Sequence, residues 1–371
     1  MAIDDFLARI EAQYKSQRPF VAYRKPNDIL VNAILQQNDN IYIAEQFTEK
    51  GFVFSPFDDN GQTVLIPLSV SESFKFRYQT ENHPKEEIKA SKIDEVSKSN
   101  HIDLVNNGIS AIKNDEFKKV VLSRKESVSL SKNNPLSIFK RLLNSYPKAF
   151  VYCWYHPKVG LWLGATPETL VKIEGKQFSV MALAGTQEYQ GTLNVLWQDK
   201  EKQEQQFVTD FIVENLENVV GNIKISNTET VRAGNLVHLK TIISARLNPK
   251  ATLKDVVFKL HPTPAVCGYP KAITKQFILK NEGYNREFYS GFLGELNFET
   301  IKTPRLGKRN IENRAYAIST KSTQLYVNLR CMQLQGNQAF IYVGGGITEH
   351  SNAESEWWET VAKSIVVKSV L

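Results

Sequence analysis

Four glutamates stand as two pairs with the same spacing. Glu356 and Glu359 lie three residues apart in "GGGITEHSNAESEWWET", and Glu201 and Glu204 lie three apart in "DKEKQEQQFV". Residues three apart on a helix share a face, so each pair points one way if its segment is helical. Trp357 and Trp358 imply that the last helix is partly buried, and its acids with it. Four carboxylates on two facing helices repel one another unless a cation lies among them. Oxygen ligands without His or Cys suit a hard ion, and Mg²⁺ keeps waters while bridging protein carboxylates to an anionic ligand. Gly344, Gly345 and Gly346 precede the second pair, with Ser351 and Asn352 at the helix start. Read as a turn, these glycines bring bare backbone and a helix N-terminus to an anion.

Other residues offer proton chemistry. Lys119 opens the run "KVVLSR". A lysine there is ordinarily exposed; buried beside a site it can be a general base. That role needs a pKa of roughly 7–8 against about 10.4 for an ordinary lysine, or about 4 kcal/mol of environment. Glu168, in "GATPETL", is either a turn carboxylate or a general acid set against such a base. His238, in "LVHLKT", reads on its own as a core histidine. Arg330 falls within the apolar run "LYVNLRCMQL", taken as one strand, and a buried arginine needs a carboxylate from protein or ligand. "HPTPAVCGYPKA" holds three prolines and a glycine, which predicts a rigid loop able to carry function. Walker A, dinucleotide-fingerprint and nucleophile-elbow patterns are absent.

Composition narrows the class. The 371 residues are 42% hydrophobic and 23% charged, as in ordinary globular proteins. No apolar run reaches the roughly 18–20 residues that span a bilayer. The opening "MAIDDFLARIEAQYK" reads as an amphipathic helix, unlike a signal peptide. Cys153, Cys267 and Cys331 show no metal-ligand spacing, which fits a reducing compartment and predicts the cytoplasm. The net charge of +7 is modest, and its densest cluster, residues 301–310, reads as a hairpin tip. No nucleic-acid or membrane partner is expected.

The elements that must position these groups follow from periodicity. "FVAYR", "IYIAEQF", "GFVFSPF" and "TVLIPLSV" read as strands, and 84–114 as a helix. Beyond residue 115, strands come in runs ("KKVVLSRKESVSL", "AFVYCWYH", "GLWLGATPETLVKIEG", "FSVMALAGT", "NLVHLKTIISARL", "YSGFLGEL", "RAYAIST", "LYVNLRCMQL", "AFIYVGGGI"). Helices are expected at 135–146, 198–220, 253–260, 270–281 and 351–368. Runs of strands with few helices between them argue for α+β with antiparallel sheets. No linker divides the chain, so 1–114 is expected to be a variable N-terminal part of the same fold as a catalytic region at 115–371.

In their order, "KVVLSR", "GATPETL", "ALAGT", "DKEKQEQ", "LVHLKT", "HPTPAVCGYP", "YSGFLGEL", "NLRCMQL" and "GGGI…ESEWWET" resemble the motifs of chorismate-utilising enzymes, and within them the isochorismate synthases. The resemblance covers about residues 115–368. It implies one large α+β domain of two packed antiparallel sheets with helices outside, a chorismate substrate and Mg²⁺. Glu204 and Glu359 are implied as direct metal ligands, with Glu201 and Glu356 supporting them. Gly185, Thr186 and Gly346 are implied as substrate contacts. Tyr289 and Arg330 would hold the enolpyruvyl carboxylate and Lys363 the ring carboxylate, with His238 and Thr263 lining the pocket.

Lysine at 119 goes, in such enzymes, with water as nucleophile, so the resemblance implies no amidotransferase subunit; a monomer is expected. Lys119 would activate water for attack at ring carbon 2, and Glu168 would protonate the departing carbon 4 hydroxyl. The pathway implied is menaquinone synthesis, with a catecholate siderophore or a salicylate synthase as alternatives. Gln205 departs from the family, where histidine usually follows the metal-binding glutamate. The stretch 298–322 appears longer than the usual hairpin.

Overall fold

The computed structural model describes residues 3–58, 61–80, 94–130, 134–233, 236–302 and 318–371. Helix α1 (Ile3–Lys15) leads into β1 (Phe20–Arg24), β2 (Leu30–Gln36), β3 (Tyr42–Ile43), β4 (Gly51–Ser55), β5 (Val64–Pro67) and β6 (Ser71–Arg77). Helix α2 (Glu95–Lys113) precedes β7 (Lys119–Ser129). Helix α3 (Pro135–Ser145) precedes β8 (Phe150–His156), β9 (Gly160–Thr166), β10 (Thr169–Glu174) and β11 (Gln177–Glu188). After α4 (Asp199–Leu216) come β12 (Val220–Ile225), β13 (Glu229–Ala233) and β14 (Leu236–Leu247). The last third holds α5 (Leu253–Leu260), β15 (Gly268–Tyr269), α6 (Lys271–Asn281), β16 (Phe292–Lys302), β17 (Ile318–Val327), β18 (Cys331–Gln335), β19 (Gln338–Ile347) and α7 (Ala353–Lys368).

These strands form two antiparallel sheets. One runs β15-β7-β19-β18-β9-β8-β1-β2-β6; the other runs β12-β14-β11-β10-β17-β16-β4-β5-β3, with β13 also on β14. Strand alternation explains why they stack. Val21 and Tyr23 of β1 face the second sheet, in an aromatic layer with Phe52, Phe54, Trp154, Trp162 and Tyr326. Their neighbours Phe20 and Ala22 face the other way, into a cluster with α1 and α3. The second sheet is covered in turn by Val208, Phe211 and Ile212 of α4 and Val256, Val257 and Leu260 of α5. Each sheet thus buries both faces. This gives the expected α+β class as helix–sheet–sheet–helix layers in one domain.

Local chemistry sets the helix starts. Asp94, Asn134 and Asn352 accept backbone N–H groups at the N-termini of α2, α3 and α7, and Pro135 takes the first turn of α3.

Several expectations need correction. Strands β2, β6, β12 and β13 were not foreseen, and "IYIAEQF" yields only the two-residue β3. "LYVNLRCMQL" is two strands, because the chain leaves one sheet at Asn328 and enters the other at Cys331. Asn328 stabilises that crossing: its Nδ2 donates to the Phe288 carbonyl at 2.9 Å, and its Oδ1 accepts from the Tyr152 hydroxyl at 2.6 Å. The first part of the helix expected from Pro84, most of the basic segment 301–310 and the middle of 298–322 lie outside the described residues.

Candidate active site

The cleft forms where the two sheets exchange strands. It encloses about 740 Å³, open solvent at its mouth included. Lys119 and Gly344–Gly346 reach it from the first sheet, and Gly185, Thr186 and His238 from the second. Glu168 sits on the crossing from β9 to β10, and Arg330 on the crossing from β17 to β18. Tyr289 precedes β16, Glu204 comes from α4, and Glu359 and Lys363 come from α7. Eleven of the fourteen residues singled out from sequence therefore line one cavity. Thr263, Glu201 and Glu356 do not line it.

Glu168 and Lys119 are both buried in this cleft. Glu168 is 4% exposed, and burial pushes its carboxyl up to about 8 against the pull of Lys119 and Arg330. A carboxyl in that range holds its proton at neutral pH and can donate it. Lys119 is 2% exposed and makes no ion pair or hydrogen bond with a described side chain.

Arg330 occupies the left-handed region, with φ of 49°. This turns its side chain into the cleft rather than along a strand. Its guanidinium forms no hydrogen bond or ion pair with a described residue, and burial lowers its pKa. Five donors without an acceptor call for a carboxylate ligand. Tyr289, stacked on Tyr342 with centroids 5.5 Å apart, stands nearby, and burial raises its phenol to about 12. It therefore stays a donor.

His238 owes its orientation to a bulge. The β11–β14 register shifts between Ala184 and Gln187, and Gly185 takes φ of 67°. That places the Gly185 carbonyl 3.0 Å from His238 Nδ1, with Thr186 Oγ1 at 3.2 Å. A carbonyl only accepts, so Nδ1 carries the hydrogen and Nε2 is left as an acceptor. Nε2 is buried without a partner. Burial, then the Arg330 charge, lowers this histidine to about 3, so it remains neutral.

The glycine run is not a turn. Gly344, Gly345 and Gly346 lie within β19, paired with Ser123, Leu122 and Val121 of β7. Their bareness makes room for other side chains. A Cβ at Gly344 would lie 3.0 Å from the Tyr289 hydroxyl, and one at Gly345 would lie 3.3 Å from Glu356 Oε2. At Gly346 it would meet Glu204 Oε1 at 2.9 Å and Lys119 Cε at 3.1 Å. We expect Gly346→Ala to fold, since both neighbours are flexible side-chain ends. Displacing them should lower kcat/KM by about 10²-fold, with a smaller loss for Gly345→Ala; steady-state kinetics on the two variants checks this.

The carboxylates are balanced by lysines. Glu359 pairs with Lys363 at 2.5 Å, and Lys363 also donates to the Gly344 carbonyl at 3.1 Å. Burial would raise Glu359, but Lys363, Lys200 and Arg330 outweigh it and hold it low. Glu356 pairs with Lys200 of α4 at 2.7 Å. Burial, then the like charge of Glu359, raises Glu356, and Lys200 opposes the rise. Both oxygens of Glu201 are engaged: Oε2 accepts from the Gln198 N–H and Oε1 from Gln187 Nε2. Glu201 thus caps α4 and ties it to β11. Among the described residues no three His, Cys, Asp or Glu side chains lie close enough to hold a metal as they stand.

Even so, the donor set fits a hard divalent ion. Glu204 makes no hydrogen bond to a described residue and is 8% exposed. Glu356 Oε2 is buried with no partner at hydrogen-bonding geometry. Gln205, the departure from the family, has a structural task. Its Nε2 donates to the Ala182 carbonyl at 3.1 Å and to Thr241 Oγ1 at 3.0 Å, joining α4 to β11 and β14. Two residues escaped the sequence reading. Tyr342 supports Tyr289, and only the folded stack reveals it. Lys200 stands four residues before Glu204, a spacing that already put the two on one helix face.

A protonated carboxyl, a buried lysine and an arginine with no hydrogen bond to a described residue surround a cavity that could hold a small anionic molecule. Residues 53–300 match the family described as chorismate binding enzyme, and 315–369 match a further chorismate binding enzyme family. The chain belongs to the chorismate binding enzymes. Isochorismate synthase MenF of Pasteurella multocida is 29% identical over 279 residues, 72% of this chain and 60% of that protein. Isochorismate synthase EntC of Escherichia coli K12 is 26% identical over 255 residues, 66% of this chain and 60% of that protein. The chain is thus matched to under two-thirds of each relative's length. The structure of DhbC from Bacillus anthracis shares the fold, with a TM-score of 0.76 at 21% identity over 98% of both chains. Among the described residues no helix is long and apolar enough to cross a membrane.

Proposed function

We propose that the chain is an isochorismate synthase: water adds to ring carbon 2 of chorismate, the ring double bonds shift, and the carbon 4 hydroxyl leaves as water. The observation that carries this reading is the pairing of Glu168, protonated up to about pH 8, with Lys119 in one cleft. Lys119, neutral at the moment of attack, takes a proton from the incoming water. Glu168 gives a proton to the departing hydroxyl. One water enters and one leaves, so the reaction is an isomerisation.

Arg330 and Tyr289 hold the enolpyruvyl carboxylate through charge-assisted hydrogen bonds. Lys363 faces the ring carboxylate. Neutral His238 offers Nε2 to a ring hydroxyl, with Gly185, Thr186 and Gly346 leaving backbone open to the ring and Thr263 behind the wall. Fixing both carboxylates aligns the ring with base and acid, a positioning effect that can be worth several kcal/mol. Glu204 and Glu359 would hold Mg²⁺ with Glu356 beside them, while Glu201, its oxygens taken by Gln198 and Gln187, would support them by fixing α4. The ion supplies charge neutralisation between a dianionic substrate and acidic helices. We assign the product to menaquinone synthesis, with siderophore supply the competing assignment.

The test is chorismate with the purified full chain and Mg²⁺, products separated by chromatography. Isochorismate alone is expected. Salicylate with pyruvate would make it a salicylate synthase, and no turnover of chorismate would end the proposal. Excess chelator should remove turnover and added Mg²⁺ restore it; full activity in chelator would remove the metal from the reading.

A further inference from the structure

Lys200 has no part in the chemistry above, yet its ammonium lies among the acids assigned to the metal. It is the only element-to-element ion pair among the described residues that joins α4 to α7: Nζ meets Glu356 Oε1 at 2.7 Å. The two helices belong to different layers, since α4 follows β11 of the second sheet and α7 follows β19 of the first. Glu204 and Glu359 add to the field at Lys200, so three acids act on one ammonium. Glu356 Oε2 lies buried beside Gly345 with no partner at good hydrogen-bonding geometry, and Ser351 is near this carboxylate. Three carboxylates thus act on one ammonium, and one of them is already paired with it.

We propose that Lys200 is a resident counter-ion which clamps α4 to α7 through Glu356 in the metal-free chain and which a divalent metal must displace. The inference rests on the metal assignment made above. Like charges on the two helices would otherwise push them apart when no ion is bound. The ammonium removes that repulsion and keeps the acids assembled. A divalent ion brings twice the charge and takes over the same carboxylates. Lys363 differs, because its pairing with Glu359 is within α7 and joins no two elements. Two opposed effects of one side chain follow: Lys200 stabilises the empty protein and weakens metal binding.

The experiment is Mn²⁺ binding to the full chain without substrate, read by the loss of free Mn²⁺ signal in electron paramagnetic resonance, alongside thermal melting. Lys200→Gln removes the charge at a partly exposed helix position; Lys200→Arg keeps it. Lys200→Gln is expected to bind Mn²⁺ about tenfold more tightly than wild type, the scale of one nearby charge in a partly solvated site. It should also melt lower without metal and gain more from metal. Lys200→Arg should resemble wild type in both. If wild type and Lys200→Gln bind Mn²⁺ equally, or Lys200→Gln binds more weakly, displacement is wrong while the metal assignment stands. If neither binds Mn²⁺, the metal assignment fails and takes this inference with it. Should Lys200→Gln not fold, Lys200→Met and the salt dependence of wild-type Mn²⁺ affinity decide: affinity insensitive to the charge at 200 overturns the clamp.

Discussion

Glutamine in place of Glu168 should lower kcat by about 10²–10⁴-fold and at the same time stabilise the folded chain at alkaline pH. The first effect is the loss of a positioned proton donor. The second follows from linkage. Burial raises this carboxyl from 4.5 to about 8, so the folded state holds a proton that the unfolded state has released. Stability is then fully present below pH 4.5 and is lost as pH rises through 8. Within that window each pH unit costs about 1.4 kcal/mol. Glutamine carries no charge to bury and escapes the penalty. Wild type and Glu168→Gln should therefore melt alike at pH 4 and diverge by pH 9, with the variant higher. Wild-type kcat/KM should fall above about pH 8, where Glu168 loses its proton, and the residual activity of the variant should lack that limb. A variant that kept near wild-type turnover would remove Glu168 from the chemistry.

Lys119→Met is the second large effect. Methionine suits a site 2% exposed, so the fold should persist. Loss of the base should lower kcat by about 10²–10⁴-fold. Lys119→Arg should be no better, because arginine does not give up its proton. A second change should accompany the loss of turnover. The Lys119 charge helps to hold Glu168 down, so its removal should move the Glu168 proton loss above 8. Residual activity measured against pH, or carboxyl titration by infrared spectroscopy, reads this directly. An unmoved limb with high residual turnover would contradict the pairing.

The residues of the cleft were legible because their types and order carry chemistry on their own: acids three apart, a glutamate after proline, an arginine among apolar residues. What the sequence hid was what faces what. Glycines suggest a turn by default, and only the pairing of β19 with β7 reveals that they are a bare patch of sheet opposite Tyr289, Glu204 and Lys119. Arg330 looked like part of a strand because Asn328, which interrupts it, acts through Phe288 and Tyr152, forty or more residues away in sequence. Glu201 looked equivalent to Glu204 by spacing. The capping bonds to Gln198 and the bond to Gln187 turn it aside. Strands β2 and β6 were missed in a region with few motifs, yet they complete an edge of the first sheet.

The β7–β19 ladder pairs ten consecutive residues, from Gln338 with Ser129 to Ile347 with Val120. Lys119 is the residue just beyond its end. Side chains alternate between faces along such a ladder, so a slip by one residue would send the lysine to the opposite side. Length changes within this pair of strands are therefore incompatible with turnover, however mild the inserted residue. The tight bend at Gly336, where an added Cβ would meet nothing within 4 Å, lies at the far end of β19. Tags or reporter loops belong there, where the chain can lengthen and the ruler that sets the lysine stays intact.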